Sequence, residues 1–434
     1  MQSKETENSN KPKRLTGILL HLHPQSINER ALAFNRTFGL GGMAALLIVL
    51  QFITGIMLRL YYEPFPQKAY DSIVYLQNSV LFGQLIRNIH HWCGVFLVFI
   101  AFLHLLRVFF TGGYQSSRKV NWIIGLVLFI LIIGSNFTGY LLPWDQLAYW
   151  AVTVGTSLLD YIPLVGNSLR QLMLAGDEVN AQTLLIFYNF HTAVFPILIL
   201  LLMAYHFWRV RKAGGIILPN NDDEKIAVPT YPNLLYREFI VALALIAVIF
   251  TFSVFFNAPL LTKANPDFSL NPTKAPWYFA GIQELLMHFH PLIAAFFIPA
   301  IIIISLVMLP FINLKEELNG IWFYSEKAKS AAKFSVIAAL IFTPILVVLN
   351  EFLPKIETVL PSINSFVTNG LVPLIILLLI IWLYYKFVSK KYQLSPIGKV
   401  QAMFVFMTTA FIVLTLIGIF FRGVDMKLDF PWNF

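Results

Sequence analysis

Apolar residues gather in nine long runs, and polar residues collect between them. The runs cover residues 40–60, 85–110, 122–142, 184–210, 239–256, 291–312, 334–352, 371–387 and 403–421. Each holds the roughly 17 or more residues that a helix needs to cross the hydrocarbon of a bilayer. A backbone in hydrocarbon must satisfy its own hydrogen bonds, so such runs predict helices. The pattern predicts an all-α polytopic membrane protein with about nine transmembrane helices, spans one to nine. An odd number of crossings sets the termini on opposite faces. Two intervening segments, 143–183 and 257–290, are much longer than connectors need be, and neither is low in complexity. Ordered loops of that length usually carry function, and each is expected to hold short helices along the membrane surface.

Composition strengthens this reading. Of the 434 residues, 58% are hydrophobic and 12% charged, against about 25% charged in a soluble domain. Mean hydropathy is +0.71. Twenty-two of the 31 lysines and arginines lie in the N-terminal tail and in the loops after spans two, four, six and eight. That bias makes the N-terminal face the cytoplasmic one, here the n side, and puts the C-terminus on the opposite p side. The net charge of +9 then reflects loop asymmetry, and no nucleic-acid partner is expected. A single cysteine, Cys93, excludes an internal disulfide and an all-cysteine metal site. The opening residues "MQSKETENSNKPKR" lack the apolar core of a signal peptide and are expected to remain as a cytoplasmic tail.

The candidate chemistry sits inside the spans. "HTAVFPILILLLMAYH" runs from His191 to His206, and "HHWCGVFLVFIAFLH" from His90 to His104. A histidine in lipid costs free energy unless it has a partner, which makes each a functional candidate. Fourteen helical residues come to within about 40° of a whole number of turns, and fifteen to within about 60°. Each pair therefore lies near one face of its span, roughly 21–23 Å apart along the axis. His91 sits about 140° away from His104 and fits poorly. Spans two and four run in the same direction, so His90 can face His191 near the p side and His104 can face His206 near the n side. Two imidazoles do not complete a tetrahedral zinc site, but they supply both axial ligands of a haem iron. The bland alternative, buried hydrogen-bonded histidines, explains one such residue better than four at matched depths.

Neighbouring residues fit the same picture. Arg87 and Arg107 each stand one turn nearer the membrane surface than a candidate ligand, where haem propionates would want a cation; either alone would read as a snorkelling residue. Gly41 and Gly55 in span one repeat the fourteen-residue step, as do Gly125 and Gly139 in span three. These glycines are expected to leave room for porphyrin edges.

Several motifs together carry a family resemblance: "IRNIHHW…FLHLLRVFFTGGY", "TGYLLPWDQLAYWAV", "FYNFHTAVFP…MAYHFWRVRK" and "APWYF". Over about residues 32–354 the chain resembles cytochrome b of the quinol:cytochrome c (or plastocyanin) oxidoreductases. The fifteen-residue histidine step, "TGGY" and "PWDQ" resemble the photosynthetic branch, although here the two halves are continuous. The resemblance implies two non-covalent b-type haems, on His90 with His191 (p side) and on His104 with His206 (n side). It implies p-side quinol oxidation between 143–150 and 276–278, an n-side quinone site, and a proton-motive Q cycle. The implied partners are a Rieske iron–sulfur protein, a c-type cytochrome subunit or acceptor, quinone, lipid and a second copy of the complex, in a bacterial cytoplasmic membrane. Arg211, Asp222 and Asp223 are candidates for the n-side quinone site. The chain then divides into an n-side tail (1–36), a di-haem four-helix bundle (37–212), an n-side connector (213–236), quinol-site helices (237–354) and two additional transmembrane helices (355–434).

Two departures from the family pattern matter. The "PEWY" motif, whose glutamate is thought to accept a quinol proton, reads Ala275, Pro276, Trp277, Tyr278 here. The cysteine that attaches an extra haem in the photosynthetic branch is replaced by Gly39, so no covalent haem is expected. If a helix continues from Trp277, then Gly281, Glu284 and His288 share its face. Burial is expected to raise the Glu284 pKa toward neutrality, making it a base that hands its proton to His288. A di-haem membrane anchor of a quinone-linked dehydrogenase is the alternative, but such anchors are typically shorter and lack the two long loops. A transporter would leave the matched histidines unexplained.

Overall fold

The computed structural model describes residues 25–218, 226–314, 318, 320–354, 356–359, 361–430 and 432. Asp222, Asp223 and most of the 1–36 tail lie outside these residues. Among the described residues, nine helices are long and apolar enough to cross a membrane. Spans one to six are Leu40–Arg59, Gly83–Phe110, Ser116–Leu141, Ala181–Lys212, Thr230–Phe255 and Leu292–Phe311. Spans seven to nine are Glu326–Phe352, Phe366–Tyr392 and Pro396–Phe420. Several helices start before their apolar runs: span five begins nine residues before 239 and span seven eight before 334. Helices continue into the polar interface, where side chains need not be apolar, so hydropathy marks the hydrocarbon crossing and not the helix end.

Span two is the most buried of the nine and span eight the least, at 44% and 11% of an apolar 18-residue stretch in each. Span two is thus the axis of the first bundle. Leu47, Cys93, Leu97, Ile124, Leu128, Ile199 and Ile249 pack into one core shared by spans one to five. Spans seven and nine approach through Ala331, Ala338 and Ala339 facing Ala402, with Gly398 against Ala328. Small residues permit such close approach where lipid supplies no hydrophobic drive between helices. Tyr384 of span eight donates to Ser335 Oγ of span seven at 2.7 Å.

The two ends differ. At one end, residues Ser26–Asn28 pair antiparallel with Ala227–Pro229, just before span five; this is the tail end. At the other, both long loops fold into short surface helices, Gln146–Ser157, Gly166–Leu174 and Trp277–Leu286; this is the loop end. The C-terminal segment after span nine also lies at the loop end, where Asn271 and Asp425 bond to each other.

Spans four, six and eight each contain one π-helical turn: Phe190–Val194, Leu292–Phe297 and Phe366–Leu371. Each is followed by a residue and then a proline, Pro196, Pro299 and Pro373. Proline lacks the N–H for an α-helical bond, and its ring crowds the carbonyl four residues back. A wider turn just before it relieves both.

Candidate functional site

The four histidines gather between spans one to four. The His90 and His191 rings face each other with centroids 6.1 Å apart and planes at 81°. Two metal–imidazole bonds of about 2 Å each, plus the two ring radii, fill that span. His90 Nδ1 lies 2.9 Å from Thr54 Oγ1, and His191 Nδ1 lies 2.8 Å from Ser135 O. A partner on Nδ1 leaves Nε2 for a metal. Toward the tail end, His104 and His206 are near neighbours.

Each histidine rests on one glycine of a flanking span. A Cβ at Gly55 would stand 3.2 Å from His90 Cε1, one at Gly41 3.2 Å from His104 Cε1, and one at Gly125 3.5 Å from His206 Cε1. At Gly139 it would overlap the His191 ring. Span one thus backs both histidines of span two, and span three both of span four. At all four positions the glycine leaves space against an imidazole ring that a Cβ would press on.

The π turn explains the fifteen-residue step. His191 lies within Phe190–Val194, and Phe195 N–H bonds back five residues to Phe190 O. That turn absorbs one residue more than an α turn. His191 to His206 therefore spans the angle of a fourteen-residue α-helical step and matches His90 to His104.

Arg87 and Arg107 are buried, and their bonds run to backbone. Arg87 donates to Ala258 O at 2.9 Å and Pro259 O at 2.6 Å. Its neighbour Asn88 donates to Ser253 O at 2.8 Å and accepts from Ala258 N–H at 2.9 Å. Together they hold span two to the exit of span five. Arg107 donates through Nε to Arg36 O at 3.1 Å. Arg211 lies in the last turn of span four.

At the loop end, the "PWDQ" segment is stitched to the second long loop. Asp145 caps its helix by accepting from Ala148 N–H, and its other oxygen accepts from Leu261 N–H, both at 2.9 Å. Ala264 N–H donates to Trp144 O at 3.0 Å, and Gln146 N–H to Thr262 O at 2.8 Å. The Gln146 amide accepts from Asn265 N–H at 2.6 Å and donates to Asn265 O and Phe268 O. Residues 144–150 are thus held to residues 261–268 of the second long loop.

Pro276 immediately precedes the Trp277–Leu286 helix, and its carbonyl accepts from Phe279 N–H at 2.8 Å and Ala280 N–H at 3.1 Å. Trp277 and Tyr278 pack against the bundle core, and Phe279 meets Phe137 of span three edge-on at 5.9 Å. Burial, with Tyr140 nearby adding to it, pushes the Tyr278 hydroxyl well above the ordinary phenol range. It stays a neutral donor at physiological pH. The Trp277 indole N–H is buried and meets no acceptor among the described residues.

The remaining expectation needs correction. The helix runs from Trp277 to Leu286 and so carries Gly281 and Glu284 but ends before His288, whose Nε2 still approaches Glu284 Oε1 at 3.1 Å. Burial alone would raise the Glu284 pKa, but hydrogen bonds from His288 and Arg422 and the Arg422 charge hold it below the ordinary carboxylate range. Arg422 Nε and Nη2 grip both Glu284 oxygens, at 2.9 and 2.6 Å. The Gly281–Glu284 face turns toward span nine: a Cβ at Gly281 would stand 2.7 Å from Thr415 Oγ1 and 2.8 Å from the Phe411 ring. Arg422 was missed because it lies one residue beyond the last apolar run. An arginine there and a glutamate in "GIQELLMHFH" were the available signal.

Fold and site together define a nearly all-helical integral membrane protein with two pairs of neighbouring histidines inside its first four spans. Residues 28–214 match the Cytochrome b/b6/petB family. Over 196 residues the chain is 41% identical to the menaquinol:cytochrome c reductase cytochrome b subunits of Geobacillus thermodenitrificans and Bacillus subtilis (strain 168), covering 45% of this chain and 87% of each relative. Cytochrome b6 of Heliomicrobium gestii is 39% identical over 180 residues, 42% of this chain and 84% of that one. The chain belongs to the cytochrome b/b6 family. A chain of a hyperthermophilic respiratory complex III shares the fold, with a TM-score of 0.67 at 21% identity over 94% of this chain and 98% of that one.

Proposed function

We propose that this chain is the cytochrome b subunit of a membrane quinol oxidoreductase working by a proton-motive Q cycle. The observation that carries this reading is the His90–His191 pair, 6.1 Å apart and backed by Gly55 and Gly139. His90 and His191 would hold one b-type haem, and His104 and His206 a second. When bound, two such groups give an electron two stations across hydrocarbon that would exclude a free charge. The chain's residues supply the rest. Thr54 and the Ser135 carbonyl fix the imidazole orientations, and the glycines let the spans close on them. Arg87 and Arg107 add buried positive charge one turn from the ligands, which favours the reduced state.

Quinol oxidation is assigned to the loop end, where Trp277 offers a buried indole N–H and Tyr278 a neutral hydroxyl. The relatives' names point to menaquinol as the quinol and cytochrome c as the acceptor. A Rieske iron–sulfur protein and a c-type cytochrome are the proposed partners, in a dimeric complex. The n-side quinone site lies at the tail end, with Arg211 as its candidate. The N-terminus would face the cytoplasm of a bacterial cell and the C-terminus the p side. The division into a 37–212 bundle and 237–354 quinol-site helices belongs to the same reading.

The test is haem extraction and redox titration of the purified complex, followed by turnover with a short-chain menaquinol and cytochrome c. Two extractable b-type haems of different potential, with quinol-dependent cytochrome c reduction, are expected. Absence of haem would refute the reading. Haem without quinol oxidation would leave the dehydrogenase-anchor alternative.

A further inference from the structure

Span nine and the segment after it meet the quinol-site segment repeatedly. Gly418 lies so close to Ala280 that a Cβ would stand 2.9 Å from its carbonyl oxygen. Lys274 Nζ donates to Ile419 O at 2.9 Å. Asn271 Nδ2 donates to Asp425 Oδ1 and Asp425 N–H donates to Asn271 Oδ1, both at 2.7 Å. Between these contacts, Arg422 is fully buried and forks onto Glu284, which is also fully buried. Its third nitrogen, Nη1, donates to Glu351 Oε2 at 3.0 Å and Met426 O at 2.8 Å. His288 closes the cluster: Nε2 faces Glu284 Oε1, and Nδ1 lies 2.8 Å from Asn350 Nδ2 of span seven.

A buried ion pair is a poor device for stability, since a hydrophobic replacement of similar volume often does as well or better. What a bidentate arginine–carboxylate pair supplies is direction, because both parallel bonds must be met at once. Glu284 follows Trp277 by seven residues, two turns of helix that return to within about 20° of the same direction. Fixing Glu284 therefore fixes the rotation of the helix where Trp277 and Tyr278 leave it. Gly281, between them, lets span nine close directly onto that face.

We propose that Arg422 is a positioning residue for quinol oxidation. Through Glu284 it sets the rotation and depth of the Trp277–Leu286 helix, and thereby the placement of Trp277 and Tyr278. Span nine and the segment after it are, on this view, part of the quinol site's scaffold. The inference rests on the loop end being the quinol site.

The experiment compares purified wild-type complex with Arg422→Lys, which keeps the charge and loses the fork. Asn271→Ala is the second variant; it loosens the same strap at an exposed position. With a short-chain menaquinol and cytochrome c, Arg422→Lys is expected to lower kcat/KM at least tenfold. Haem content, reduced spectrum and both haem potentials should stay at wild-type values. Asn271→Ala should shift kcat/KM in the same direction by twofold to fivefold. A pair that is merely structural would lower yield or melting temperature and leave the surviving protein's kcat/KM unchanged. Wild-type kcat/KM in Arg422→Lys, or in Asn271→Ala should Arg422→Lys fail to assemble, overturns the proposal. A wild-type complex that carries both haems yet does not oxidise quinol refutes the quinol-site reading itself, before any variant is made.

Discussion

Gly125 and Gly139 sit on one span, each behind a histidine, yet they differ in how closely the ring presses. A Cβ at Gly125 would meet His206 Cε1 at 3.5 Å, an ordinary contact, whereas one at Gly139 would overlap His191. Gly139→Ala is therefore expected to displace the His191 ring and remove the loop-end haem signal. Gly125→Ala should keep both signals. Difference spectra of the two purified variants check this. His104→Ala should remove the tail-end haem alone; two unchanged haems would refute the pairing. Glu284 gives a pH prediction of opposite sign to a proton acceptor's. Its pKa is held low by His288 and Arg422 against burial. The stabilisation it provides is present above the ordinary carboxylate range and is lost as pH falls through its lowered pKa. Melting temperature should not respond to Glu284 between pH 6 and 8. The turnover ratio of Glu284→Gln to wild type should stay constant over that interval. A ratio that changes with pH would return Glu284 to the proton path. The histidines and glycines were legible because helical spacing alone aligns them. Arg422 was not, because its partner is 138 positions away and only the packing of span nine brings them together.

Among the elements, the spans were legible from apolar runs, and their ends were not. Serine caps such as Ser325 and Ser395 lie in polar sequence that hydropathy passes over. The π turns were also hidden, although prolines within the apolar runs marked them. The long loops could be singled out by length, but their mutual stitching could not, since hydrogen bonds between irregular segments leave no periodicity. Gln146 carries much of that stitching, through Asn265 and Phe268. Gln146→Leu takes the acceptor from the Asn265 N–H, while Phe268 O keeps the Trp150 indole and Asn265 O keeps the Phe268 N–H, so the substitution loosens the stitching between the loops rather than stranding buried groups. Quinol turnover is expected to fall at least tenfold while both haems stay spectrally intact, since the histidines stand on other elements. Loss of haem in this variant would show that the loops help hold the bundle.

At the scale of the whole molecule, the first four spans and the last three divide the labour unequally. The histidine levels lie within spans one to four, and the core around them takes in spans one to five. The helix carrying Trp277 leans on that core at one end and on span nine over much of its length, through Gly281, Glu284 and Gly418. Ending the chain after Gln393 would remove span nine and Arg422 together. Glu284 would lose its bidentate partner, and breaking one side of a buried pair costs about 3–5 kcal/mol. The small-residue face of span seven would lose its cover as well. The bundle loses Phe404, which stacks on Phe109 of span two at 3.8 Å beyond His104, while the four glycines behind the histidines stay in place. The truncated protein is therefore expected to retain two b-type haems in the membrane, with their spectra unchanged, and to lose quinol-dependent cytochrome c reduction. Haem quantification and turnover on the same membranes distinguish the outcomes. Retained turnover would mean that the Trp277 helix is held by the bundle alone, and lost haem would mean that the histidine levels depend on spans they do not touch.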